Sequence, residues 1–167
     1  MIDHRNIELI VTNGLQTWLS NKGYNCPVIM ANQVVPIPPY PYIAYTVTSL
    51  VSGNMKTYGI ETDGTRTKPV VQIWSFTVQS DNSTEADTVA MEAYDWFVLS
   101  GNTYLSDNDI VAQRVGGITN RDNLLSIEYE YRRGFDVEFL VVDEISQADA
   151  EQAGYIEDEI FKYTKEE

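Results

Sequence analysis

Leu125 to Val141 reads LSIEYEYRRGFDVEFLV, and the parity of its side chains decides how the sheet is built. Odd positions carry Leu125, Ile127, Tyr129, Tyr131, Arg133, Phe135, Val137, Phe139 and Val141. Even positions carry Ser126, Glu128, Glu130, Arg132, Gly134, Asp136, Glu138 and Leu140. A two-residue hairpin at Arg133-Gly134 would set Tyr129 opposite Glu138 and Tyr131 opposite Asp136, placing apolar and acidic groups on one side. The parity therefore predicts one long strand. Gly134 is expected to absorb a bend or bulge, because the run exceeds the usual strand length of roughly three to ten residues.

Working outward, Val70 to Val78 is a second apolar run with Trp74, Phe76 and Val78 on one face and Val71 and Ile73 on the other. Apolar residues on both faces predict a strand inside the sheet. Ile43, Tyr45, Val47 and Ser49 alternate with Ala44, Thr46 and Thr48, the period of another strand. Between the two lies SGNMKTYGIETDGTRTK, Ser52 to Lys68, which reads as a long Gly-rich loop, and loops of that length in compact domains are usually functional or disordered. Val111 to Thr119 is a further strand, where Gly116 and Gly117 indicate a bulge or a close approach.

Two helices accompany these strands. Ile7, Ile10, Val11, Leu15, Trp18 and Leu19 recur at three- and four-residue steps from about Asp3 or Asn6 until Gly23. Asn82, Ser83 and Thr84 are alternative N-caps for a helix with Ala86, Val89, Ala90, Ala93, Trp96 and Phe97 on one stripe, ending near Ser100-Gly101, and Thr84 with Asp87 makes a weak capping box. Five of the six prolines fall between Cys26 and Tyr42, giving an extended connector with at most a short edge strand at Val28 to Met30. The fold class read from this order is α+β: a mainly antiparallel, mixed sheet flanked by two helices, with a long inter-strand loop and a C-terminal acidic extension.

Composition narrows the function. With 167 residues the chain has room for one domain, and 43% hydrophobic with 11% aromatic residues suffices for a core. The net charge of −14 argues against a protein built to grip nucleic acid. Nine acids against two lysines from Asp143 onward concentrate −7 in the last segment, so the expected organisation is a domain over residues 1–145 and an acidic arm over 146–167. Ser146 with Asp149 caps that arm, and Ala153, Ile156, Ile160 and Tyr163 form a thin apolar stripe interrupted by Gly154. A lone Cys26 excludes an internal disulfide and a Cys-rich zinc site and suits a reduced cytoplasmic setting. With no apolar run of about 18 residues and no charged-then-apolar leader, neither membrane insertion nor ordinary export is expected.

Catalytic motifs are absent from the chain. His4 is the single histidine and is read as incidental, so histidine-dependent triads and HExxH zinc sites have no support, nor does any phosphate-cradling Gly loop. No cofactor and no metal are expected. One enzymatic alternative remains: Glu128, Glu130, Asp136 and Glu138 share a strand parity, and acidic clusters on a sheet can hold magnesium for phosphodiester hydrolysis. Against it stands a plain solvated strand face. Arg133, on the apolar parity, needs a carboxylate partner, an intersubunit pair, or a stem packed under aromatics with its head in solvent. Lys56, Arg66 and Lys68 sit in or beside the Gly-rich loop, where they contact an acidic neighbour or are simply solvated.

The segments PIPPYPYIAYTV (residues 36–47), FTVQSDNSTEADTVAMEAYDWF (76–97) and GGITNRDNLLSIEYEYRRGFDVEF (116–139) together resemble the neck or tail terminator proteins of long-tailed bacteriophages, over roughly residues 3–145. The resemblance implies an α+β structural protein, not an enzyme, that assembles as a homo-oligomeric ring, usually a hexamer. Such a ring caps the head-proximal end of the tail tube, ends its polymerisation and presents a surface to the head-side connector or stopper protein, with a sheath as a further neighbour in a contractile tail. DNA passes through without specific binding, no membrane is involved, and the protein is expected in the virion neck after assembly in the host cytoplasm. On that reading Lys56, Arg66, Lys68, Arg132, Arg133, Asp136, Ile156 and Ile160 are the expected subunit or partner contacts. Another head-tail joining protein, such as a stopper or tail completion protein, is the nearest alternative.

Overall fold

The computed structural model describes residues 2–32, 34, 36–52, 58–124 and 129–149. Helix α1 (His4–Asn21) starts at Asp3, whose carboxylate accepts the backbone N–H of Asn6 at 3.0 Å. Its stripe of Ile7, Val11, Leu15 and Leu19 is buried. The connector holds β1 (Val28–Met30), an edge strand parallel to β2 (Tyr42–Ser52). Strand β3 (Gly59–Ile60) pairs with the start of β4 (Arg66–Ser80), so part of the expected loop is a small hairpin and Arg66 and Lys68 belong to a strand. Chain continuity after β4 runs through α2 (Ser83–Asp95), a π-helical turn at Trp96–Ser100 and short α3 (Asn102–Ser106). The cap of α2 is Asn82, which accepts the N–H of Glu85, rather than the Thr84 and Asp87 pair.

Strand β5 (Ile110–Val115) follows, then β6 (Thr119–Asn120), β7 (Asn123–Leu124) and β8 (Tyr129–Ile145). The sheet runs β1-β2-β4-β8-β5, antiparallel except for β1. Its spine is the β4/β8 ribbon, paired without interruption from Arg66↔Ile145 to Ser80↔Tyr131, a span of about 45–50 Å. The long strand predicted from parity is thus present and unbroken from Tyr129 on, and its expected first residues, Leu125 to Glu128, lie outside the described residues. Gly134, however, pairs in register with Thr77 and introduces no bulge there. Irregularity falls instead on the other side of β8, where residues 116–118 separate β5 from β6 and Gly116 N–H reaches Asp136 O at 2.7 Å. Pro69 is tolerated within β4 because it sits between the β3 and β2 pairings, where the missing donor has no strand to meet.

All the helices cover one face. Trp74, Phe76, Val78, Phe135, Val137, Phe139 and Val141 project under α1 and α2, with Val89, Ala90, Ala93 and Phe97 completing a single core. Phe76 is its centre: its ring lies 4.9 Å from Phe97, 6.0 Å from Phe135, 6.2 Å from Tyr45 and 6.5 Å from Phe139 between centroids, the spacing of favourable offset and edge-on aromatic pairs. His4 packs edge-on against Trp74 and lies 3.4 Å from Glu8 Oε1, a core-margin role.

Candidate assembly surface

No described helix lies over the opposite face of the sheet, although Tyr40 of the connector stacks on Tyr42 and bonds Glu130 at one end of it. Because strand residues alternate, that face is made by Tyr42, Ala44 and Thr46 of β2, Val71, Ile73, Ser75, Thr77 and Gln79 of β4, and Arg132, Gly134, Asp136, Glu138, Leu140 and Val142 of β8. It divides into a polar half and an apolar half. The division follows the β4/β8 register.

In the polar half the charged groups are already paired. Arg121, from the turn between β6 and β7, lies across the strands and donates to Ser75 Oγ at 2.7 Å, Thr77 Oγ1 at 3.1 Å and Asp136 Oδ1 at 3.1 Å. Desolvation pushes the Asp136 carboxyl up, but hydrogen bonds from Ser75 and Arg121 and the Arg121 charge outweigh it and leave it below the usual carboxylate range. Farther along, Arg132 donates twice to buried Glu130, at 2.9 and 2.6 Å, and Tyr40 Oη donates to the same carboxylate at 3.0 Å. Tyr42 Oη donates to buried Gln79 at 2.5 Å. Desolvation, with Glu130 adding, raises the Tyr42 pKa.

Arg133 lies on the helix side. Its side chain is 13% exposed and its guanidinium meets Asp87 of α2 and Asp122, each at 2.5 Å. Of the readings open from sequence, the carboxylate partner is the one present, and it comes from within the chain. Asp122 also accepts the backbone N–H of Arg132 at 2.7 Å, while its own N–H donates to Asn120. Desolvation raises Asp122, yet these hydrogen bonds and Arg133 bring it below the ordinary value. Arg121 and Asp122 therefore straddle β8, one gripping each face. Sequence reading passed over both. The available signal was a pair of adjacent opposite charges in an Asn-rich turn preceding a strand that carries Arg132, Arg133 and Asp136.

Of the carboxylates in the magnesium alternative, the three described ones do not converge. Glu130, Asp136 and Glu138 are spread along one strand, with Glu130 and Asp136 about 20 Å apart by strand rise and each on its own arginine; Glu138 meets Arg114 at 3.5 Å. Among the described residues no three His, Cys, Asp or Glu side chains are grouped to hold a metal. Glu128 lies outside the described residues, as do Lys56, Ile156 and Ile160.

The apolar half holds Val71, Ile73 and Leu140, each half-buried, with exposed Val51, Val111 and Val142 around them. A groove of about 190 Å³ runs past Val51, Pro69, Val71 and Leu140, with Lys68 on its rim. Lys68 Nζ stands 4.9 Å above the Tyr58 ring, and Tyr58 Oη donates to Asp143 Oδ2 at 2.7 Å, which raises the tyrosine pKa. Arg66 is exposed at the same projecting end of the ribbon. The structure thus places Arg132 and Arg133 near the start of β8 on opposite faces and Asp136 near its middle, with Arg66 and Lys68 at the far end of the ribbon, at the start of β4. The two groups do not meet.

Among the described residues every helix lies on one face of the sheet of this α+β domain, and the second face is charge-paired at one part and apolar at another. Residues 10–166 match the family model described as phage neck terminator protein, and the chain belongs to that family. It is a bacteriophage neck protein with a structural role in head-tail joining, a component of the virion. The match continues through the acidic segment, beyond the limit near residue 145 read from sequence. No curated protein matches the chain. No helix among the described residues is long and apolar enough to cross a membrane.

Proposed function

We propose that copies of this protein form a closed ring on the head-proximal end of the tail tube, ending its growth and seating the head-side connector, with DNA passing through the lumen. The observation that carries this reading is the sheet face without a described helix: a family of neck proteins must present surface to its neighbours, and here Val71, Ile73, Leu140 and Val142 form an apolar area available for it. A cyclic ring requires two different, complementary patches on each copy. Here the β3/β4/β8 end, with Arg66 and Lys68, and the stretch from Arg132 toward Asp136 at mid-strand are well separated along one ribbon, which suits a head-to-tail contact. Lys56, Ile156 and Ile160 belong to the same proposed contacts through the loop and the arm. A net charge of −14 suits a lumen through which a polyanion slides without adhering.

No catalytic step is part of this function. Electron microscopy and native mass spectrometry of the purified protein, alone and with tail tubes, test it. Closed rings on tube ends are expected, and tubes that elongate normally in its presence, without a ring, overturn the proposal.

A further inference from the structure

On the helix-covered side, α1, the π-helical turn and α3 border a groove of about 250 Å³ lined by Trp18, Trp96 and Tyr104. Gly14 makes it possible: a Cβ there would fall 2.4 Å from Tyr104 Cε1 and 2.8 Å from Trp96 Cζ2, so only the bare backbone of α1 lets both rings come so close. The Trp96 and Tyr104 rings are tilted at 6.2 Å between centroids, and the indole N–H of Trp18 is buried with no hydrogen-bond partner among the described residues. Exposed Asn13 and Thr17, one turn apart on α1, add donors at the rim. Aromatic rings beside hydrogen-bond donors receive a polyproline II segment, whose proline rings pack on the aromatics and whose carbonyls lack partners of their own.

The chain carries such a segment elsewhere. Proline fixes its own φ at about −65° and holds the residue before it in extended backbone, so Pro38 and Pro39 preset Ile37 and Pro38. Residues 36–38 lie outside every helix and strand. Val34 is fully exposed, Ile37 is 75% exposed, and Pro36 and Pro39 are exposed beside them. Apolar side chains gathered in water this way mark a contact site. Ile37 borders a cavity with Tyr42, Ala44 and Arg132 of the helix-free sheet face, so segment and aromatic groove lie on opposite sides of the sheet and do not meet within one copy. We infer that the segment 34–39 of one copy docks in the Trp18, Trp96 and Tyr104 groove of the next copy. This rests on the ring reading, because two unlike patches on opposite sides of a domain join copies head to tail.

Two measurements test it. In the first, the full chain carrying Ile37→Asp, whose groove no neighbour fills, is titrated with a synthetic peptide of residues 31–40, ANQVVPIPPY, and tryptophan emission is followed. A saturable blue shift is expected from Trp18 and Trp96, since Trp74 is sealed in the core, and a peptide that itself carries Ile37→Asp should bind about tenfold more weakly or worse. In the second, Thr17→Cys and Ile37→Cys chains are mixed and oxidised, alone and with tail tubes. Cys26 is buried and stays out of the reaction. The expected product is a reducible adduct between one copy of each variant. Unchanged emission, or no adduct under either condition, overturns the inference. So does a Thr17→Cys chain that tail tubes shield from thiol reagents without any adduct, because a tube protein then fills the groove. Rings seen by microscopy without the adduct sink the docking alone, whereas peptide binding and adduct without rings sink the ring reading and leave the docking standing.

Discussion

Arg121 occupies the space that a side chain at Gly134 would need: a Cβ built on Gly134 falls 2.5 Å from Arg121 Nε and 2.6 Å from its Cδ and Cζ. The glycine is there for a close approach across the sheet face, with the guanidinium continuing to Ser75, Thr77 and Asp136. Gly134→Ala must push the arginine off these partners. The expected loss is about 1–3 kcal/mol in chemical denaturation. Arg121→Ala should cost a similar amount, and the double variant little more than either, because both remove the same network.

Asp122 is the stronger of the two anchors of Arg133. It is well shielded, whereas the Asp87 side chain is 51% exposed and can be replaced by water. Asp122→Ala leaves a nearly buried guanidinium with a single carboxylate and frees the Arg132 N–H, so a loss of about 2–3 kcal/mol is expected. Asp87→Ala should cost less than about 1 kcal/mol. Equal effects in urea melts would contradict this ranking.

The same carboxylates set an acid limit on stability. Asp122 and Asp136 are held below the usual value of about 3.9 in the folded chain, so each contributes stability that is complete above that value. The contribution falls as pH drops through the unfolded value toward the lower folded one. The urea midpoint of the native protein should therefore decline below about pH 4. The gap between it and Asp122→Asn should narrow over the same range, which denaturation at pH 7, 5 and 3 would show.

Cys26 is buried, and desolvation, with Glu85 adding, pushes its thiol up to about 12. At pH 8 its labelling by a thiol reagent should be on the order of a thousandfold slower than that of a free cysteine. Rapid labelling without denaturant would show that the α1–β1 region opens.

Phe76 sits at the centre of the aromatic core and is fully buried. Phe76→Ala should cost about 3–5 kcal/mol in thermal or chemical unfolding. Deletion of residues 146–167, by contrast, removes no residue of the described core. The expected outcome is a fold that melts within a few degrees of the full chain but joins its neighbours poorly, scored by melting and by tube-capping assays.

Periodicity alone determined much of this protein. The stripe from Ile7 to Leu19, the two-faced run Val70 to Val78 and the parity of Leu125 to Val141 each dictate a helix or strand through local geometry, and they sufficed for the α+β class. The family likeness was also carried by the sequence, in segments that lie within the matched residues 10–166. What periodicity does not encode is which chain segments cross in space. Arg133 advertised the need for a carboxylate, but whether Asp87, Asp122 or another subunit supplied it depended on how α2 and the β6–β7 turn close over β8. Gly134 looked like a bulge because its neighbours are a long strand; only the packing of Arg121, thirteen positions earlier, shows that the glycine makes room. Arg66 and Lys68 read as loop cations because their strand is held by backbone hydrogen bonds to Asp143 through Ile145, far away in the sequence. Such pairings are long-range, and side-chain order along one segment carries no information about them.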